Sequence, residues 1–175
     1  VQFTEFGVSG PAVFELSRAA ATEKGPLTLR MDLLPQLSLS DVEALLCQRI
    51  ASMGELTTEN LLAGMLHNRL GRTVLRYAGY GLTDSIAVLT SNDLQRVAKA
   101  IKQFSLPVIG TLGFDGAQVT AGGIRTAEFD SRTLQSRLVP GLYAAGEVLD
   151  IDGDCGGYNL QWAWSSGYLA GQLKV

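Results

Sequence analysis

Cysteine and histidine are scarce in this sequence, and their scarcity removes whole classes of chemistry at once. Cys47 and Cys155 stand far apart and His67 is the sole histidine, so neither a disulfide scaffold nor a CxxC or Cys/His metal site can be assembled. An excess of cations is also missing: 14 Lys and Arg against 17 Asp and Glu leave a formal net charge of −3. A protein whose main task is to neutralise phosphates needs clustered Lys and Arg, so nucleic acid is not expected among its partners. No apolar run approaches the roughly 20 residues that span a bilayer, so no membrane is expected either. Internal repeats and low-complexity tracts are absent too. What remains, 46% hydrophobic and 18% charged over 175 residues, is globular composition for one domain or two small ones. A chain of that size can bury a core without metals or disulfides.

No signal-peptide pattern opens the sequence, which makes a reduced, cytoplasmic compartment the expectation. The chain starts on Val1 and runs straight into VQFTEF, which reads as the middle of a strand and hence as a fragment of something longer.

Glycine is what the sequence has in quantity, and it is unevenly spread: 12 of the 20 glycines fall in residues 110–175. The earlier part reads as strand and helices. Ser9-Gly10-Pro11 is a helix start, because proline in the first turn loses no hydrogen bond, and Ala12, Leu16 and Ala20 then share one face to about Ala21. LTLRMD at 27–32 alternates apolar and polar as a short strand does. Ser40-Asp41-Val42-Glu43 has the S-x-x-E capping pattern, followed by Val42, Leu45, Leu46 and Ile50 at helical spacing, which predicts a helix over about 41–52. Thr57 or Thr58 can cap a third helix carrying Leu61, Leu62, Met65 and Leu66. Ser91 or Asn92 can cap a fourth, with Leu94, Val97, Ala98 and Ile101 on its buried stripe. Residues 72–89 fit helices or strands equally well around Gly79 and Gly81. After Ser105 the pattern changes to short strands, LPVI, AQVT and SRLVPGLYAAGE, between glycine-rich turns. A last helix from Asn159 to Leu173 carries Ala163, Gly167 and Ala170 or Gly171 on one side, small enough for close approach to a sheet.

The chemistry concentrates in GLYAAGEVLD at 141–150 and IDGDCGGYNLQ at 151–161. A strand of small residues ends in a carboxylate, passes through a glycine-rich loop and enters a helix. Backbone N–H groups at a helix start are unpaired and carry the positive end of the dipole, so an electron-rich oxygen is stabilised there. Gly156-Gly157 lets a ligand approach that backbone with no Cβ in the way.

GLYAAGEVLDIDGDCGGYNLQWAWSSGYLAG resembles the C-terminal FAD-binding segment of the BaiN/YhiN-like family of bacterial NAD(P)/FAD-dependent oxidoreductases. FTEFGVSGPAVFELSR and AQVTAGGIRTAEFDSRTLQSRLVPGLYAAGE resemble segments of the same family in the same order. The resemblance implies an α+β fold, in which a small, mostly helical insert unit joins short strands and a final helix that complete a Rossmann-like FAD-binding domain. Residues 1–110 would be a portion of the insert domain and 111–175 the C-terminal FAD-binding segment. The family's G-x-G-x-x-G loop for the FAD pyrophosphate is not in this sequence, since Gly79-x-Gly81 and Gly110-x-x-Gly113-x-x-Gly116 have other spacings. By resemblance, Gly146 and Glu147 end the strand along the ribityl and phosphate part of FAD, with the carboxylate accepting from a ribityl hydroxyl. Asp150 follows it, and Gly156, Gly157, Tyr158, Asn159 and Leu160 present the helix start to the pyrimidine edge of the flavin. Fixed donors there would raise the flavin's reduction potential, because negative charge grows at that edge on reduction. NAD(P)H is the implied electron donor and a small molecule the implied substrate; no catalytic residue is identified.

Other readings of the same residues stay open. Glu147, Asp150, Asp152 and Asp154 suggest a calcium loop, but with Asp150 as the first ligand the glycine position holds Cys155 and the closing glutamate position holds Gln161; a solvated acidic turn is the better reading, and no metal is expected. Cys155 beside the helix start could be a stabilised thiolate, and packing is the plainer role. Cys47, beside Leu45 and Leu46, reads as packing. His67 reads as a surface or capping residue, and Trp162 and Trp164 as core or interface. Against the oxidoreductase stands a non-catalytic helical cap or partner-binding module whose glycine-rich end is structural. In either case unpaired strand edges could drive a homodimer.

Overall fold

The computed structural model describes residues 1–53 and 55–172. In chain order its elements are β1 (Gln2–Phe3), β2 (Val8–Ser9), α1 (Pro11–Thr22), β3 (Leu27–Met31), α2 (Leu39–Met53), α3 (Asn68–Tyr77), α4 (Ser91–Lys102), β4 (Phe104–Val108) and α5 (Tyr158–Gly171), with short 3-10 turns between them. The fold is α+β, as the sequence led one to expect. No described helix is long and apolar enough to cross a membrane. The chain forms two compact units: residues 26–108, and a second that combines residues 1–25 with 109–175.

In the unit of residues 26–108, β3 and β4 pair antiparallel with Leu29 opposite Leu106 and Met31 opposite Phe104. Helix α4 packs against both α2 and α3. Val42, Leu46, Leu61, Leu62, Val74, Leu75, Ile86, Val97 and Ile101 are all fully buried and make its core. The periodic stripes predicted for α2 and α4 are therefore the core faces. Their caps lie slightly upstream. Ser38, not Ser40, opens α2: its Oγ accepts from Asp41 N–H (3.1 Å) while Asp41 Oδ2 accepts from Ser38 N–H (3.0 Å). Thr90, not Ser91 or Asn92, caps α4 through a reciprocal bond with Asp93. Asp93 Oδ2 accepts from Thr90 N–H (2.8 Å) and Thr90 Oγ1–H (2.6 Å), and Oδ1 from the Tyr80 hydroxyl (2.7 Å). The Thr90 hydroxyl, above all, holds the Asp93 carboxyl at about 2, while burial and the bond to Asp93 push Tyr80 up to about 12. Lys102 Nζ bridges Asp32 (2.6 Å) and the carbonyls of Leu34 and Leu37.

The helix expected after Thr57 or Thr58 is displaced. Thr58 turns its hydroxyl to Asp84 O (2.8 Å) instead of capping, a 3-10 turn covers Thr58–Asn60, and Gly64 adopts φ +79°. Leu61 and Leu62 reach the core from turns, and α3 starts only at Asn68, resolving most of the ambiguous stretch as helix followed by turn. His67 stands at its N-cap position without capping it. Cys47 is exposed, contrary to a packing role, since it lies off the stripe of Val42 and Leu46.

In the other unit α1 forms as predicted, yet none of its residues is fully buried and Leu16 is exposed. The segments AQVT and SRLVPGLYAAGE form no strands. Residues 129–143 make isolated bridges, Phe129 to Ser136 and Gln135 to Tyr143, because the ladder that would extend them has no further partner among the described residues. Phe129, Leu134 and Leu149 form the core there, with Ala144, Ala145, Trp162, Leu169 and Ala170 packed against it. The expected end of the last helix at Leu173 lies outside the described residues.

Candidate functional site

Gly146 ends no strand; it opens a 3-10 turn, Gly146–Val148. It is buried at φ +73°, and α5 grips it from both sides of its peptide units. Gly146 N–H donates to Ser166 Oγ (2.9 Å), and Trp162 Nε1–H donates to Gly146 O (3.1 Å). Ser166, 1% exposed, completes itself by donating to Trp162 O (2.5 Å). A Cβ on Gly146 would sit 3.7 Å from that of Ala163, so the small residue predicted for close approach at Ala163 serves this turn. Gly167 and Gly171 face nothing within 4 Å.

Glu147 is exposed, and its Oε1 accepts from Thr120 N–H (2.5 Å), leaving Oε2 without a protein donor. Asp150 is exposed too, and its backbone joins a short parallel bridge: Ile124 N–H donates to Val148 O (2.8 Å) and Asp150 N–H to Ile124 O (2.9 Å). Gly123 makes that bridge possible. A Cβ there would lie 2.6 Å from Val148 O and 2.9 Å from Asp150 N, closer than any side chain tolerates. The sequence signal for Gly123 was the Gly-Gly doublet at 122–123, and Ser166 and Trp162 carried no motif at all.

The loop into α5 is tied down by side chains. Asn159 receives Gly153 N–H on Oδ1 and donates from Nδ2 to Gly153 O, both at 2.8 Å. Arg18 pairs with Asp152 (2.5 Å), and Glu15 accepts from the Cys155 N–H. The acidic run is thus partly spent on structure, and among the described residues no group of three or more His, Cys, Asp or Glu is placed to hold a metal ion. Cys155 itself is exposed. Gly157, at φ +95°, is the N-cap of α5, and no side chain caps the helix. The N–H groups of Tyr158, Asn159 and Leu160 precede the first acceptor within the helix, Gly157 O for Gln161 N–H (2.9 Å), and so remain available. A Cβ built on Gly157 meets nothing within 4 Å. Tyr158 and Leu160 are exposed on the same turn.

A family model described as the HI0933-like protein Rossmann domain matches residues 18–173. The chain belongs to the HI0933-like Rossmann family. Its relatives include the 3-dehydro-bile acid delta(4,6)-reductase of Clostridium scindens, 38% identical over all of this chain and 44% of the relative. The ribosomal RNA dihydrouridine synthase of Escherichia coli is 37% identical over 97% of this chain and 41% of its own length. That of Haemophilus influenzae is 34% identical over 95% and 40%. This HI0933-like chain therefore spans less than half the length of the relatives it matches.

Proposed function

We propose that this chain is the portion of an FAD-dependent reductase that closes the flavin site from the side of α5. The observation that carries the reading is the uncapped start of α5, three free N–H groups behind Gly156-Gly157 with open space before them. Such a helix start suits the electron-rich pyrimidine edge of a flavin. When bound, FAD supplies hydride transfer, and NAD(P)H is the donor we assign to recharge it. Residues 111–175 serve as the FAD-binding segment, and the helical unit as the insert. Glu147 offers its free Oε2 to a ribityl hydroxyl while Oε1 holds Thr120, and Asp150 flanks it. Gly146 keeps the backbone low at this point. Tyr158 and Leu160 wall the helix start, and Asn159 acts on the loop by clamping Gly153. The unit works in the cytoplasm on a substrate held partly by chain outside these 175 residues.

The relatives' names point to one bond type. Reducing the 4,6 double bonds of a 3-dehydro-bile acid and forming dihydrouridine both add two hydrogens across a carbon–carbon double bond conjugated to a carbonyl, and we extend that class to this chain. The exposed Phe6, Leu16, Ile109, Leu112, Phe114, Trp164 and Tyr168 are more apolar surface than a free monomer usually shows, and a homodimer through them is the state we assign to the isolated chain. Two measurements test the reading: flavin titration into the 175-residue chain, followed by light scattering. Weak or no FAD binding is expected, since fixed donors from the rest of the site are needed, together with association beyond the monomer. Micromolar or tighter FAD binding by a monomer would show that the site is self-contained.

A further inference from the structure

The net charge of −3 is a sum over the chain, and it conceals where the cations lie. Between residues 69 and 102 stand Arg69, Arg72, Arg76, Arg96, Lys99 and Lys102, against only Asp84 and Asp93. Arg72 is paired with Glu59 (3.1 Å) and Lys102 with Asp32 (2.6 Å). Arg69, Arg76, Arg96 and Lys99 have no carboxylate within ion-pair distance among the described residues, and all four are exposed. Asp93, the acid nearest Arg96 in sequence, has both oxygens engaged by Thr90 and Tyr80.

Two of these cations line a shallow groove of about 270 Å³ between α3 and α4, walled by Tyr77, Ala78, Arg96, Lys99, Ala100 and Gln103. Its aromatic wall is preset. Tyr77 is 49% exposed and held edge-on against the buried Phe104, with ring centroids 4.8 Å apart. Arg96 is steadied over the Tyr80 ring at 5.6 Å. Cations on a rigid helix pair flanking a half-exposed aromatic ring match what single-stranded RNA presents, a line of phosphates with bases free to stack. Gln103 adds an amide that can meet a base edge. A 3-dehydro-bile acid carries at most one carboxylate and would leave most of this charge unused.

We propose that the groove between α3 and α4 is an RNA contact surface, with Arg96 and Lys99 on phosphates and Tyr77 stacked on a base. This goes beyond the flavin reading and stands apart from it, because RNA binding is read with no flavin present. The probe is an end-labelled single-stranded RNA of mixed sequence, titrated by fluorescence anisotropy into the 175-residue chain at several salt concentrations, with a DNA duplex of the same sequence as comparison. Arg96→Gln with Lys99→Gln should weaken RNA binding at least about tenfold and flatten the slope of log affinity against log salt by about 1.4, two phosphates at about 0.7 each. Tyr77→Leu, which keeps apolar bulk against Phe104, should weaken binding about tenfold with the salt slope unchanged. Arg125→Gln with Arg132→Gln, exposed cations of the other unit, should change nothing. The proposal is overturned if the wild-type chain shows no saturable RNA binding at about 50 mM salt, or if the groove variants bind like wild type. It is equally overturned if the Arg125 and Arg132 pair matters as much, or if duplex DNA binds equally well and Tyr77→Leu is silent.

Discussion

Replacing Ser166 by alanine should loosen the joint between α5 and the turn that opens the flavin-side segment. The substitution removes one oxygen and leaves almost no cavity, so its cost comes from hydrogen bonding. Gly146 N–H, now paired at 2.9 Å with Ser166 Oγ in a buried position, would be left without a partner. A buried donor so orphaned costs about 1–3 kcal/mol. The lost Oγ–H bond to Trp162 O adds little, because that carbonyl keeps its place in the helix. With a urea dependence of about 1–3 kcal/mol per molar, the midpoint should fall by about 1 M. Both tryptophans, Trp162 and Trp164, lie in α5, so tryptophan emission during urea unfolding reports this unit alone. Ser165→Ala is the control: its hydroxyl meets only the exposed Gln161 amide (2.8 Å), and the expected change is within about 0.5 kcal/mol. A Ser166→Ala midpoint equal to wild type, or smaller in effect than Ser165→Ala, would refute the reasoning.

Gly123→Ala should be worse tolerated than the equivalent change at Gly113, where no atom lies within 4 Å of a built Cβ. The new methyl would press on Val148 O at 2.6 Å and break the bridge between Ile124 and Leu149, a loss on the order of 2 kcal/mol or more that the same tryptophan titration reads. Acid should act on the other unit through Asp93. Its carboxyl lies at about 2 in the folded state against an ordinary 3.8, so its contribution is complete above about 4 and is lost as pH falls toward 2. Far-UV circular dichroism should show Asp93→Asn less stable at neutral pH, with a flatter dependence across that window; an identical pH profile would contradict the capping account.

Helices α2 and α4 were legible because Val42 with Leu46, and Leu94 with Val97, Ala98 and Ile101, repeat at helical spacing and face one core. Their caps were harder: Ser38 with Asp41 and Ser40 with Glu43 satisfy the same pattern, and only the fold decides which hydroxyl lies outside the first turn. Leu61, Leu62, Met65 and Leu66 have helical spacing too, yet Gly64 at φ +79° and the long-range bond from Thr58 to Asp84 turn them into buried turns. The stretch from 137 to 147 reads as strand because strand propensity is a statement about neighbours, and the described residues supply only isolated bridges. At the site, Gly156-Gly157 before a helix was visible as a local pattern. Ser166, Trp162 and Gly123 were not, because each meets the 146–150 segment across many intervening residues and by packing that no motif encodes.

The most direct test of the central claim is FAD retention by the longer protein, of its relatives' length, carrying Gly157→Val or Gly157→Asn. Both side chains would project into the open space before the uncapped start of α5, and asparagine tolerates the left-handed backbone that valine resists. The account predicts that wild type purifies yellow with FAD bound, that the valine variant loses it, and that the asparagine variant loses most of it while its tryptophan-monitored unfolding stays near wild type. Full flavin occupancy in both variants, or a wild-type protein that takes up no FAD, would contradict it.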